Sequence, residues 1–191
     1  MRWFPLLLLL PLTACDPCAD ADAAAASVEL GGGENAFSPV ADGDSMPAEF
    51  GNQGGEHVWA AVRTMGLATS PPPGPGGLGD AHPEIELTLE HPEARYGDFG
   101  PTRFQLRDTG GGSGEGWGLT VVLWLDPWED AWAFPAGFDP SADNPDWGAA
   151  WDHAANILAT EESTLAVRVT DRCGITVEDE RSVFVSGFGG T

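Results

Sequence analysis

Oxygen-bearing side chains recur at short spacing in the second half of the chain, where they could hold a metal ion. They are Asp139, Ser141, Asp143 and Asp146. Calcium binds several oxygens supplied by one flexible segment, so this run is a calcium candidate. Its spacing begins like an EF-hand, but Asn144 stands where that loop needs glycine and Ala150 where it needs a bidentate acid. Capping of a helix by exposed acids is the competing interpretation, and we expect no bound metal or other cofactor.

Catalytic motifs are missing from the sequence. The four histidines are scattered without the H-x-H or H-E-x-x-H spacing of zinc sites. Neither a G-x-S-x-G elbow nor a phosphate-binding P-loop is present. We therefore expect a non-enzymatic protein, and the alternative is a metal-dependent or hydrolytic enzyme whose site is assembled from scattered residues.

Tryptophan is concentrated in one stretch of the chain. Six of the eight tryptophans fall between Trp117 and Trp151. Five of these six form a candidate ligand surface, namely Trp124, Trp128, Trp132, Trp147 and Trp151. Exposed indole rings could stack on sugars or grip a partner protein, whereas buried rings would fill the core beneath an insertion. A calcium-binding or carbohydrate-binding module is accordingly a further alternative.

The chain has three cysteines, and two of them lie in the sequence Cys15-Asp16-Pro17-Cys18. A C-x-x-C pair can perform redox or metal chemistry, but such chemistry requires a folded site that lowers the thiol pKa. An apolar run precedes this pair and an alanine-rich segment follows it, so no such site is expected. Cys18 and Cys173 are then a candidate disulfide, with two free thiols as the alternative.

The N-terminal residues combine a positive charge, a short apolar stretch and a cysteine. Arg2 precedes an apolar stretch at 3–14 that is too short to span a bilayer, and small residues stand directly before Cys15. This arrangement resembles the signal and lipobox of bacterial lipoproteins. The resemblance implies that residues 1–14 are a cleaved signal peptide and that Cys15 carries diacylglyceryl and fatty-acyl chains such as palmitate. Two or three chains make a stable anchor. The protein would lie on the periplasmic face or the cell surface, and the inner and outer membranes stay open as alternatives.

Charge restricts the partners of the protein. Thirty acidic residues oppose eight arginines and no lysine, which gives a formal net charge of −22. Such a surface repels nucleic acid. The expected partners are the membrane, through the lipid anchor, and an envelope protein or polysaccharide.

Alternation of apolar and polar residues predicts the strands that would position these groups. The clearest is 84–91, where Ile85, Leu87 and Leu89 would point inward. Further strands are expected at 27–30, 37–40, 57–67, 103–107, 118–125, 164–170, 175–177 and 182–185, and a glycine-rich hairpin connection at 110–116. This pattern indicates a mainly β fold, an antiparallel β-sandwich that is immunoglobulin-like in outline.

One short helix is expected at 146–159, with Asn144 as its N-cap. Its apolar stripe would consist of Trp147, Trp151, Ala154 and Leu158. The predicted organisation is a signal peptide at 1–14, a lipidated cysteine and flexible tether at 15–26, and a single β-sandwich domain at 27–191. The helix lies in an insertion at 126–159 of that domain.

Two further segments resemble a pattern in uncharacterised bacterial lipoproteins. Residues 37–44 and 51–59 contain an Asp-Gly turn followed by Gln-Gly-Gly-x-His-hydrophobic-Trp, and residues 169–174 form a strand with an Asp-x-x-Gly turn. The resemblance implies an envelope lipoprotein with an immunoglobulin-like β-sandwich and implies no activity. Our leading hypothesis is therefore a lipid-anchored, non-enzymatic binding or structural domain of the cell envelope.

Overall fold

The computed structural model describes residues 18, 23–51, 55–68, 70–71, 74–75, 77–92, 94–123, 135–139 and 141–188. Ten strands and one helix lie in these ranges. In chain order they are β1 (Ser27–Gly32), β2 (Ser38–Pro39), β3 (Asp44–Gly51), β4 (Gly55–Met65), β5 (Glu84–His91), β6 (Ala94–Arg103), β7 (Arg107–Gly110), β8 (Ser113–Leu123), α1 (Trp147–Thr160), β9 (Ser163–Thr170) and β10 (Thr176–Ser186). Within the described ranges, no helix is both long enough and apolar enough to cross a membrane.

Seven of the strands close into a barrel. The order around it is β4, β3, β10, β9, β5, β6 and β8, and β8 pairs again with β4. All of these pairs are antiparallel except β3 with β10, which is parallel. The predicted antiparallel, immunoglobulin-like sandwich is therefore wrong. It fails because β8 pairs with β4 as well as with β6, which closes the ring of strands, and because β3 and β10 run parallel.

Aliphatic side chains fill the interior, as they do in other narrow barrels. The predicted inward residues of β5, Ile85, Leu87 and Leu89, are fully buried, and so are Leu165 and Val169 of β9. These inward faces are confirmed. Period-2 alternation places every second residue on one face of a strand, so it reports the buried face whether the sheet is open or closed.

Of the residues at 103–107, predicted as a strand, Arg103 ends β6, Arg107 begins β7, and only 104–106 join the two. Two side chains of this connection enter the barrel. Leu106 is buried, and Phe104 packs against the core. Gly114 and Gly116 of β8 make room for them, because a Cβ atom at Gly116 would lie 3.0 Å from the Phe104 ring. The predicted hairpin connection at 110–116 is thus too long, since β8 already begins at Ser113.

Strand β1 lies outside the seven-stranded ring, and the seam between β1 and β10 is closed by side chains rather than by a strand pairing. β1 and β10 lie side by side there, and no backbone ladder joins them in the described part of the chain. The Leu30 amide donates to Asp179 Oδ2 at 2.8 Å, and Arg181 donates from NH1 to Asp179 and from Nε to the Val40 carbonyl. Charged side chains that face inward are a known means of protecting a strand edge.

The barrel has two distinct ends. At the Cys173 end, β9 ends and β10 begins; at the helix end, β8 ends and β9 begins. Helix α1 belongs to the helix end, where Ala154, Ile157 and Leu158 join the hydrophobic core. The predicted helix is nearly right, but its N-cap is Asp146, whose carboxylate accepts from the Ala149 amide.

Candidate functional site

The Cys173 end carries a disulfide between Cys18 and Cys173, with their Cα atoms 5.7 Å apart. Cys173 lies in the turn between β9 and β10, and buried Asp171 organises that turn. The Asp171 carboxylate accepts hydrogen bonds from the amides of Cys173, Ile175 and Ala68. The bonded cysteine is therefore held on a rigid turn that is also fixed to the connection following β4.

The predicted tryptophan surface is only partly within the described residues. Trp124, Trp128 and Trp132 lie outside them, as does Cys15. Trp147 is 39% exposed and contacts the Phe138 ring edge-on at 5.2 Å. Trp151 is half-buried and packs against Phe188 at 6.1 Å. The buried residues of α1 are Ala150, Ala154, Ile157 and Leu158, so Trp147, which the predicted apolar stripe includes, lies outside the buried face.

The calcium candidate residues are engaged in local structure. Asp139 Oδ1 accepts from the Ser141 amide and hydroxyl at 2.9 and 2.6 Å, and these hydrogen bonds lower the pKa of the Asp139 carboxyl. Asp146 caps α1, and Asp143 is exposed. No group of three or more metal-ligating side chains forms within the described ranges. These acids therefore shape a turn and a helix start, as the competing interpretation expects.

The histidines also lie apart. His82 is buried and holds the proline-rich connection, with Nε2 3.1 Å from the Pro71 carbonyl oxygen. His91 lies 3.2 Å from Glu161 at the helix end. His57 is buried on the outer face of β4, where its ring contacts Trp59 edge-on at 4.7 Å. Its Nε2 has no hydrogen-bond partner in the described structure.

A groove of about 410 Å³ opens on the outer wall beside Trp59. It exists because β1 and β3 both pair with the same edge of β4, β3 near its start and β1 further along. The cleft lies beside β4 and is bordered by the end of β1, by β2 and by the start of β3. The lining residues include Glu34, Ser38, Pro39, Asp44, Met46, Pro47, Glu49 and Trp59. We call this cleft the Trp59 groove.

Two contacts fix the Trp59 ring in the groove. Its Nε1 donates to Glu49 Oε2 at 2.9 Å, and the His57 ring packs against it. Gly33 turns the chain away from β1 with a φ of +128°, and a Cβ atom there would lie 2.0 Å from the Ala36 carbonyl oxygen. Only glycine can form this turn, which carries Glu34 to the edge of the groove.

The groove is negatively charged. Glu34, Asp44 and Glu49 line it, and none of the described lining residues is basic. Each of these carboxylates accepts one hydrogen bond, from Asn35, the Ala41 amide and Trp59 respectively. An ionised carboxylate can accept about four, so acceptor capacity is left for a ligand. The flat ring of Trp59 and the two prolines supply the apolar part of the surface.

A larger groove of about 650 Å³ crosses the outer faces of β5, β9 and β10. It contains five acids around Arg168, and no aromatic residue lines its described part; the acids are Glu86, Glu90, Glu178, Asp179 and Glu180. Arg168 Nε donates to Glu178 at 2.7 Å, and this bond raises the pKa of the guanidinium further. This groove stays acidic, but its described lining offers no aromatic ring on which a ligand could stack, which makes this face the weaker candidate.

Sequence reasoning did not identify the Trp59 groove. It placed Trp59 correctly in a strand, but Glu34 reaches the groove from the connection after β1 and Asp44 from the start of β3, and their positions depend on the pairing of β1 and β3 with β4. Comparison of the chain with protein-family models, with curated proteins and with solved structures finds no match. The function proposed below therefore rests on the geometry of the Trp59 groove and on the chemistry of the N-terminal residues.

Proposed function

We propose that the protein is a lipid-anchored, non-enzymatic binding protein of the bacterial cell envelope, and that the Trp59 groove receives a cationic segment of a partner envelope protein. The observation that carries the proposal is the fixed Trp59 ring beside three carboxylates in one groove. A cation over an indole face is attracted by the ring quadrupole, and the surrounding carboxylates add charge-assisted hydrogen bonds.

The charge of the groove favours an Arg- or Lys-bearing peptide over a neutral polysaccharide. A bound cation would compensate the negative charge of the three carboxylates that line this cleft. A sugar could stack on Trp59 but would leave the like charges uncompensated. The guanidinium of arginine suits both halves of the site, because it stacks on aromatic faces and donates to carboxylates in pairs.

Replacing Trp59 by alanine is expected to weaken the binding of a hexa-arginine peptide about fivefold to thirtyfold, because the lost cation–π contact contributes roughly 1–2 kcal/mol. The measurement is titration calorimetry on the full lipidated protein in phosphatidylcholine vesicles, with the melting temperature taken in parallel to confirm folding.

A matched pair of charge variants separates the groove from the overall acidity of the chain. Glu49→Gln keeps an acceptor for Trp59 Nε1 but removes one charge from the groove. Glu180→Gln removes the same charge from the outer face of β10. The first should weaken binding and the second should leave it nearly unchanged. Equal weakening by both would show that net charge alone attracts the peptide.

The lipid anchor has its own test. Cys15→Ser is expected to abolish incorporation of a radiolabelled fatty acid and to leave the chain unprocessed, because the serine hydroxyl does not replace the thiol that accepts the diacylglyceryl group. Labelling of growing cells followed by gel analysis measures both effects. Cys18→Ser serves as the comparison and should keep the label. Equal labelling of the Cys15→Ser variant and the parent would refute the anchor.

A further inference from the structure

The disulfide fixes the place from which the N-terminal segment can reach a membrane. An extended chain spans at most roughly 3.6 Å per residue, so three residues place the Cα atom of Cys15 within about 11 Å of that of Cys18. The Cα atom of Cys173 lies only 5.7 Å further on. Residues 19–26, predicted as part of the tether, follow the disulfide and add nothing to this reach.

Strand register shows what else lies at the Cys173 end. Met65 pairs with Ser113, and Glu84 pairs with both Arg103 and Thr170. The end of β4, the start of β8, the end of β6 and the start of β5 therefore surround the turn that holds Cys173. The end of β8, helix α1 and the start of β9 lie at the opposite end.

Apolar exposure and charge distinguish the two ends. Met65 and Leu78, at the Cys173 end, are 45% and 41% exposed. Phe50 and Trp147 are exposed at the helix end, but the described residues of the connections there, 92, 135–139 and 141–162, contain six acidic residues and no Lys or Arg. The connections at the Cys173 end, 66–83, 104–112 and 171–175, contain three acids and two arginines. An anionic lipid surface repels the helix end more strongly.

We infer that the Cys173 end is a membrane-facing surface, held against the lipid headgroups by the Cys18–Cys173 disulfide, with Met65 and Leu78 in contact with lipid. This inference rests on the proposed lipid anchor at Cys15. The helix end then points away from the bilayer, and the Trp59 groove opens sideways on the barrel wall. Because of the disulfide, only the short segment from Cys15 to Cys18 separates the lipid anchor from the barrel. This short connection sets the orientation of the barrel.

Hydroxyl-radical footprinting of the full lipidated protein in vesicles of phosphatidylcholine and phosphatidylglycerol tests the inference. Two variants carry the same Gly-Ser insertion of about twelve residues, which spans roughly 20 Å. One has it between Asp16 and Pro17, before the disulfide; the other has it between Asp20 and Ala21, after the disulfide. Oxidation at Met65 and Leu78 is compared with oxidation at Phe50 and Trp147 by mass spectrometry.

Met65 and Leu78 are expected to be protected in the wild type and in the variant with the later insertion, and to lose protection in the variant with the earlier one. Phe50 and Trp147 should oxidise equally in all three. Equal oxidation of Met65 in the wild type and the earlier-insertion variant would overturn the inference, as would loss of protection in the later-insertion variant. Flotation with the vesicles is scored separately, so failure of the wild type to float would refute the anchor itself.

Discussion

Leu87→Asp is expected to leave the chain unfolded at room temperature. Leu87 is fully buried in β5, which pairs with β6 on one edge and β9 on the other. Deleting a buried leucine costs about 2–5 kcal/mol, and an unpaired buried carboxylate adds several more. The total approaches the whole stability of a typical domain, about 5–15 kcal/mol. Circular dichroism and urea denaturation would show the loss of the cooperative transition.

Thr88→Lys is the matched control, because Thr88 is the next residue of β5 and its side chain points to the outer face. Surface substitutions of this kind usually change the free energy of unfolding by no more than about 0.5 kcal/mol. A folded Leu87→Asp protein with the same denaturation midpoint as Thr88→Lys would contradict the inward orientation of Leu87. A Thr88→Lys variant that unfolds would contradict the outward orientation of its neighbour.

The strands that fill the barrel could be predicted from sequence because their signal is local. In β5 and β9 each apolar residue alternates with a polar one, and Leu87 and Val167 are buried as expected. Closure of the sheet could not be predicted in the same way. It depends on the parallel pairing of Val183 with Asp44 and on the two paired edges of β4. Those pairings join residues far apart in the chain, and alternation within a strand carries no information about them.

The hairpin connection predicted at 110–116 is too long because the role of a glycine also depends on residues far away in the chain. Glycine favours turns when only neighbouring residues are considered, so Gly114 and Gly116 were assigned to a hairpin connection. In the structure both are buried strand residues, and Phe104 and Leu106 occupy the space that side chains at these positions would need. A glycine that accommodates a distant side chain has the same sequence signature as a glycine that forms a turn.

In the candidate site, too, contacts between residues close in sequence could be predicted, whereas contacts that depend on strand pairing could not. The sequence predicts helix capping by the acids at 139–146. Asp146 does cap α1 through the Ala149 amide three positions on, whereas Asp139 binds Ser141 in a turn before the helix. The Trp59 groove combines residues from three connected segments, and only the pairing of β4 brings them together. The one available signal was Trp59 itself, an aromatic residue that alternation places on the outer face of a strand.

Asp179→Ala is expected to lower the free energy of unfolding by about 3 kcal/mol, the lower end of the cost of breaking a buried ion pair. Asp179 and Arg181 are 16% and 27% exposed at their side chains, so partial solvation limits the effect. The substitution also leaves the Leu30 amide without its acceptor in a seam that has no backbone ladder. Urea denaturation measured by circular dichroism would give the change.

Glu178→Ala provides the comparison for Asp179→Ala, because Glu178 is the preceding residue of β10 and also binds an arginine, Arg168, at 2.7 Å. Its pair is about 60% exposed on both sides, and exposed pairs contribute roughly 0–1 kcal/mol. The double variant Asp179→Ala with Arg181→Met should be more stable than Asp179→Ala alone, because it leaves no unpaired guanidinium in the seam. Equal losses for Asp179→Ala and Glu178→Ala, or no recovery in the double variant, would mean that the inward charges do not hold β1 to β10.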